Sequence, residues 1–411
     1  MGISRHNIRL VYVVGLMAGM LVTAGEARGR RLQLESLRAE ALAGLVMAHG
    51  ERTGKASAIE SIHDPHVPAR PGPWFEGWYF RVSDAGGSRS VAVIVASHLP
   101  RGETYVPGMV LPGYINVLIC EGDGAPTLSF TAYPQQTQSL VAGRPVSATP
   151  RLAPAPDFEW VAEGFGSVTE DSVNLQIPGE VEISIRTENR LPWDAKRPAM
   201  GPEGLLMFLP VPLHWYVHSL ASDASYSYSL SGAEQQGPVS GTGYAHLEKN
   251  WQREFPAGWV WAQGIAENNR AQFVISQADI ALKGGAGFRP WILGYRSDDL
   301  HWDFRFHIPG ATLATDLDPC AGTLRMEARD LFRTLTVEAF APPGSFGSVS
   351  IPTAEGFVAE SGGESFSATV VVSAYWHVPL LGKLGLAWLA EQQVFNNAAL
   401  EFGNAYACQE Q

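Results

Sequence analysis

Three tryptophan-rich segments gather the side chains that could do proton chemistry. In Tyr244-Ala245-His246-Leu247-Glu248-Lys249-Asn250-Trp251, polar and apolar residues alternate. Successive side chains of a strand point to opposite faces, so Tyr244, His246, Glu248 and Asn250 share one face. Ala245, Leu247, Lys249 and Trp251 share the other. Four hydrogen-bonding groups in a row are costly to bury without partners or a purpose. A solvated strand face would also account for them, but Phe255, Trp259 and Trp261 follow closely and argue for partial burial. The row is the leading acid–base candidate of the chain.

An earlier segment, Gly72-Pro73-Trp74-Phe75-Glu76-Gly77-Trp78-Tyr79-Phe80-Arg81, sets Trp74, Glu76, Trp78 and Phe80 on one side. A carboxyl group between indoles is pushed toward its neutral form and is available as an acid. The alternative is an ion pair with an arginine amid ordinary core. The middle segment, Leu213-His214-Trp215-Tyr216-Val217-His218, places His214, Tyr216 and His218 on one face. With no HExxH pattern and no evident third ligand, the two histidines read as hydrogen-bonded wall residues rather than metal ligands. Gly241-Thr242-Gly243 and Gly284-Gly285-Ala286-Gly287 lack the strand–loop–helix setting of a phosphate loop. No GxSxG nucleophile elbow is present.

The elements that must position these residues are strands. Val91–Val95, Tyr114–Ile119, Thr127–Thr131, Val181–Ile185, Trp259–Trp261, Gln272–Ser276, Leu300–Phe306, Leu335–Ala339 and Ser367–Val372 are β-branched or alternating runs bounded by turn residues. The 411 residues suffice for about two domains, and 43 Gly, 28 Pro and 12 Trp suit short strands with many turns. The fold class is therefore all-β, with two similar barrels or sandwiches, 63–235 and 236–405, joined near residue 235. A Pro-rich loop is expected around Pro145–Pro156 and a short apolar helix over Leu380–Leu389.

A net charge of −12 excludes the basic stripe that displaces phosphate counterions, so no nucleic-acid partner is expected. Cys120, Cys320 and Cys408 are too few and too far apart for a CxxC zinc site or a dense disulfide framework. A Cys120–Cys320 bridge is one pairing they leave open. Arg5 and Arg9 precede an uncharged run from Leu10 to Ala24, with small residues before Ala27. This reads as a secretory signal, 1–27, with an uncleaved anchor or a plastid transit peptide as alternatives. Apolar positions over residues 32–49 recur at three-to-four spacing, so 28–62 is expected to hold a short helix and a linker, with a peripheral membrane contact or plain packing as its role.

Taken together, the blocks at 72–80, 213–220 and 244–251, with Phe255-Pro256 and the tryptophan strand at 259–263, resemble the tocopherol cyclase-like family. Ile351-Pro352-Thr353 and the strand at 367–372 echo it more faintly, so the resemblance spans roughly residues 63–403. The late Cys- and Asp-containing block of the plant enzymes is missing. The resemblance implies two lipocalin-like barrels, akin to those of carotenoid hydratases and certain Diels–Alderases, and the closure of a prenylated hydroquinone to a chromanol. That chemistry needs a proton delivered to an alkene, a briefly tolerated tertiary cation and a phenol oxygen that adds to it. In this chain it would use Glu248 as donor, His246 as relay or base, Tyr244 and Asn250 to position the hydroxyl, and Glu76 as the alternative acid. Trp78, Trp251, Trp259 and Trp261 would stabilise the cation, and Tyr79, His214, Tyr216 and His218 would complete the pocket. No cofactor or metal is implied. The expected partner is a hydrophobic isoprenoid ligand. A hydratase with a nearly identical pocket, or a non-catalytic lipid carrier, are the competing readings.

Overall fold

The computed structural model describes residues 65–66, 71–87, 89–146, 158–197, 200–208, 211–232, 237–253, 255–281, 287–377 and 387–408. The described residues are all-β apart from two short 3-10 turns, Gly204–Phe208 and Pro343–Ser345. Each of the nine strand runs read from the sequence falls on a strand. The expected signal segment, the helix over 32–49 and most of the Pro-rich loop lie outside the described residues.

The strands form two curled antiparallel sheets built on one scheme. In the first, of twelve strands, Trp74–Asp84 pairs with its sequence neighbour Ser90–Leu99 and with Val239–Gln252, the last strand of the sheet. Gly113–Cys120 and Thr127–Ala132 continue one way, Leu213–Leu230 and Val181–Leu191 the other. In the second, of eleven strands, Gly258–Ile265 likewise pairs with Gln272–Ala281 and with the final strand Ala387–Asn404, which pairs with Phe357–His377. Joining first strand to last bends each sheet around its own core. Trp78, Phe80, Val93, Trp160 and Ile183 fill the first, and Phe273, Leu293, Met326, Val370 and Phe402 fill the second.

A third core lies where the sheets meet, and it explains a sequence texture. Val181–Leu191 alternates buried with more exposed positions and Thr312–Asp318 half-buried with exposed ones, as one-sided strands do. Gly113–Cys120 and Gly258–Ile265 are buried at every position, because one face lines a curl and the other packs on the opposite sheet. Tyr79, Trp215, Trp259, Trp261, Ile292, Ile351 and Phe366 belong to this shared layer.

Three expectations are corrected. The chain changes sheet between Gln252 and Gly258, not near residue 235, because Val239–Gln252 is needed to close the first sheet. The expected Leu380–Leu389 helix fails at its end: Ala387, Trp388 and Leu389 already belong to a strand that pairs with Phe357–His377. Residues 378–386 lie outside the described residues. The disulfide joins Cys320 to Cys408 rather than to Cys120; Cys120 is buried and free, its thiol 3.5 Å from Ser367 Oγ. No helix among the described residues is long and apolar enough to cross a membrane.

Candidate active site between the sheets

Strand register aims the polar row at the second sheet. Across Trp74–Asp84 and Val239–Gln252, Tyr79 stands opposite Glu248 and Arg81 opposite His246. In the facing sheet Glu364 stands opposite Glu401, and Trp261 opposite Glu401 on its other side. Tyr79 Oη donates to Glu364 Oε1 at 2.6 Å, bridging the two sheets. Trp259 Nε1 donates to Glu401 Oε1 at 2.5 Å, and His246 Nε2 bonds Glu248 Oε2 at 2.9 Å. Gly403 makes room for this arrangement, since a Cβ there would overlap the Trp259 indole.

Of these groups, Tyr79, Glu248, Trp259, Trp261 and Glu401 border a cavity of about 140 Å³, whose other walls include Phe75, Trp215, Asn250, Phe255 and Ile351. A dry cavity of about this size, lined by apolar side chains, holds one benzene-sized group. Glu248 and Glu401 line this cavity, and Glu364, outside the lining, stands opposite Glu401 and accepts from the lining Tyr79. Carboxylates crowded in a low-dielectric site cannot all ionise. Burial pushes Glu401 up to about 7, against the Trp259 hydrogen bond, and the Glu248 charge adds to the rise. Burial, then the charge of Glu401, drives Glu364 well above the carboxylate range, although Tyr79 and Arg81 pull it down. Glu364 Oε2 has no hydrogen-bond partner among the described residues. The Tyr79 phenol is also raised well above its usual value, first by burial and then by Glu364. Among the described residues, no cluster of His, Cys, Asp or Glu is arranged to hold a metal ion.

The residues singled out from sequence divide between two chambers, because neighbours on a strand face opposite ways. Glu248, His246, Asn250, Tyr79, Trp259 and Trp261 come together at the sheet interface. Tyr244 does not join them; four residues up the strand from Glu248, it borders a separate small cleft with Asp84, Arg89 and Asn397. Trp78 borders the cavity, but its ring stacks on Phe158 at 4.6 Å inside the first curl. Trp251, His214, Tyr216 and His218 gather around Glu76 and Lys249 in that same curl. Trp251 is sandwiched between His66 and His214, at centroid distances of 4.3 and 4.9 Å. Tyr216 stands opposite Lys249, and the His218 ring lies edge-on to Tyr216 at 5.0 Å.

Glu76 is therefore no acid of the interface site. Lys249 Nζ lies 2.9 Å from Glu76 Oε1, His66 Nδ1 lies 2.7 Å from the same oxygen, and the His66 backbone N–H donates to Oε2 at 2.7 Å. Burial pushes this carboxyl up, but the Lys249 charge and His66 outweigh it and hold Glu76 below the usual carboxylate value. The indoles beside it suggested a raised pKa; a lysine from the next strand, rather than an arginine, reverses the sign.

Sequence reasoning missed Glu364, Glu401, Arg81 and Gln263. The signal for the two glutamates was slight: Glu401 is a lone acid between Leu400 and Phe402, both of which point into the second core. Glu364 sits among Gly362, Gly363 and Ser365, a stretch with no apolar alternation to mark it as buried.

No family model and no curated protein matches the chain. Solved structures do. A candidate AttH from Nitrosomonas europaea aligns over 84% of this chain and 99% of its own, at 11% identity and a TM-score of 0.45. CghA with Sch210972 aligns over 80% and 88%, at 13% and 0.45. Kievitone hydratase from Nectria haematococca aligns over 84% and 91%, at 10% and 0.39. At these values none of them bears on what this chain does. The molecule is defined by its own features, as an all-β protein of two curled sheets with a carboxyl-bearing, tryptophan-walled cavity between them.

Proposed function

We propose that this protein is a Brønsted-acid enzyme that adds an O–H group across a carbon–carbon double bond of an apolar, isoprenoid-bearing substrate. The finer form of this reading is closure of a prenylated hydroquinone to a chromanol, as the sequence blocks suggest. One observation carries the reading: Glu401, poised near neutrality, faces an apolar cavity whose other walls include indole rings. A carrier needs the apolar walls but gains nothing from the buried carboxyl groups of Glu248 and Glu364 and the half-buried one of Glu401, which are costly to desolvate.

Glu401 takes the role of donor. Its O–H proton passes to the less substituted alkene carbon, the π bond supplies the C–H pair, and a tertiary cation remains. The faces of Trp259 and Trp261 stabilise that cation, each by roughly 0.5–2 kcal/mol. The hydroxyl oxygen then forms the C–O bond and releases its proton to the His246–Glu248 pair. Return of a proton to Glu401 completes a cycle with no net change. Glu248, the donor favoured from sequence, thus becomes the accepting side of the pair with His246, and Asn250 orients the hydroxyl.

Mass spectrometry after incubation with a prenylated hydroquinone tests the proposal. An isomeric product of unchanged mass supports cyclisation, gain of one water points to hydration, and bound lipid without conversion leaves only a carrier. Glu248→Gln should abolish turnover while ligand binding stays within about 1 kcal/mol of the native value, as a proton-transfer role requires. Unchanged turnover in that variant would remove Glu248 from the mechanism.

A further inference from the structure

Beside the carboxyl groups lies a second set of polar atoms without partners. Arg81, His246 and Gln263 are fully buried, and Trp261 nearly so. Yet Arg81 Nε, His246 Nδ1, Gln263 Nε2 and Trp261 Nε1 have no hydrogen-bond partner among the described residues. Such atoms are rare in folded chains, and a buried donor or acceptor left without a partner is destabilising.

The four belong to one neighbourhood. Arg81 stands directly opposite His246, and Arg81 Nη1 donates to Gln263 Oε1 at 2.7 Å. Gln263 and Trp261 are alternate residues on one face of a strand, and the Trp261 ring lies 6.1 Å from that of His246. The remaining guanidinium hydrogen bonds go to Ser90 Oγ at 3.0 Å and to the Asn397 carbonyl, leaving Nε over.

Their chemistry is complementary. Arg81 Nε, Gln263 Nε2 and Trp261 Nε1 are donors only. His246 Nδ1 is an acceptor in the tautomer that donates from Nε2 to a Glu248 carboxylate. Two of these donors beside the one acceptor match a hydroxyl group, which offers two lone pairs and one proton.

We infer that Arg81, Gln263, Trp261 and His246 form an oxygen site that takes a single hydroxyl group, which accepts from two of the three N–H donors and donates to His246 Nδ1. The inference rests on the reading of the interface cavity as the reaction site, and it supplies that reaction with its second reactant. Trp261 borders the cavity, whereas His246 and Gln263 stand behind it. The hydroxyl is supplied by the ring of a substrate reaching past Trp261 or by one enclosed water, which needs two to four polar partners.

Binding of phenol and benzene to the full chain, followed by calorimetry, tests the site together with oxygen-17 relaxation of internal water. Gln263→Glu keeps an acceptor for Arg81 and removes the N–H donor. In the native chain phenol should bind about tenfold more tightly than benzene, the worth of one hydrogen bond in a closed site. Loss of that preference in Gln263→Glu, with benzene affinity unchanged, assigns the site to a ligand hydroxyl. A preference that persists in the variant, while a long-lived internal water of the native chain disappears, assigns it to water. A native chain with neither signal, or a variant that alters neither, overturns the inference. Gln263→Met repeats the test if circular dichroism shows that the glutamate variant does not fold. None of these outcomes depends on turnover, so failure to convert a prenylated hydroquinone would count against the proposed function alone.

Discussion

Replacing Glu401 with glutamine should make the protein less sensitive to alkaline pH. A carboxyl group whose folded-state pKa is raised contributes stability that is present below its unfolded value and is lost as pH rises through the folded one. For Glu401 that window runs from the ordinary 4.5 to about 7. Each unit of separation corresponds to about 1.4 kcal/mol, so between pH 5 and pH 8 the native chain should lose at most about 2.5 kcal/mol that the variant keeps. The side chain is partly exposed, and solvent screening reduces the figure. Glutamine retains an oxygen for the Trp259 N–H, so the hydrogen bond survives. Removing the Glu401 charge also eases ionisation of Glu364, whose pKa it helps to raise; this flattens the variant's profile further. Urea unfolding of both chains at pH 5, 6, 7 and 8 measures the difference. The native and variant curves should diverge with rising pH, and the variant should be the more stable at pH 8. Parallel curves would refute the claim that Glu401 is held protonated, and the proton-donor role would fall with it. Where turnover can be followed, the same titration should appear as an alkaline limb near pH 7 that Glu401→Gln removes along with the activity, by about 10²-fold or more.

Other outcomes follow from the two chambers. Ala278→Leu should fill the cavity that Ala278 borders and weaken benzene binding about tenfold or more, at a cost in stability of about 1–3 kcal/mol, measured by calorimetry and urea unfolding. Lys249→Met should cost about 3–5 kcal/mol, since it leaves the Glu76 charge without its lysine; Glu76→Leu added to it should recover most of that loss in urea unfolding. Because the folded-state pKa of Glu76 is lowered, its contribution is present above pH 4.5 and is lost as pH falls through the folded value. Glu76→Gln should therefore remove part of the acid limb of stability, which thermal unfolding between pH 5 and 3 would reveal.

Much of this arrangement is legible in the residue order. Alternation in 244–251 assigns His246, Glu248 and Asn250 to one face and Lys249 and Trp251 to the other, and the register agrees. The period of a strand is two, so the division needs no knowledge of what lies beyond either face. The strands themselves are equally readable from β-branched runs between turn residues, as is the all-β class. What each face meets is another matter. Glu76 sits among indoles in the sequence, yet its charge is decided by Lys249, 173 residues away along the chain. Glu364 and Glu401 look like ordinary polar positions, yet strand pairing sets them opposite each other and the packing of two sheets delivers them to Glu248 and Tyr79. Local sequence determined the strands, their faces and one polar row, because backbone geometry alone dictates those. The tertiary structure alone decided which carboxyl group stays ionised and which keeps its proton, because that depends on burial and on charges brought near by distant strands.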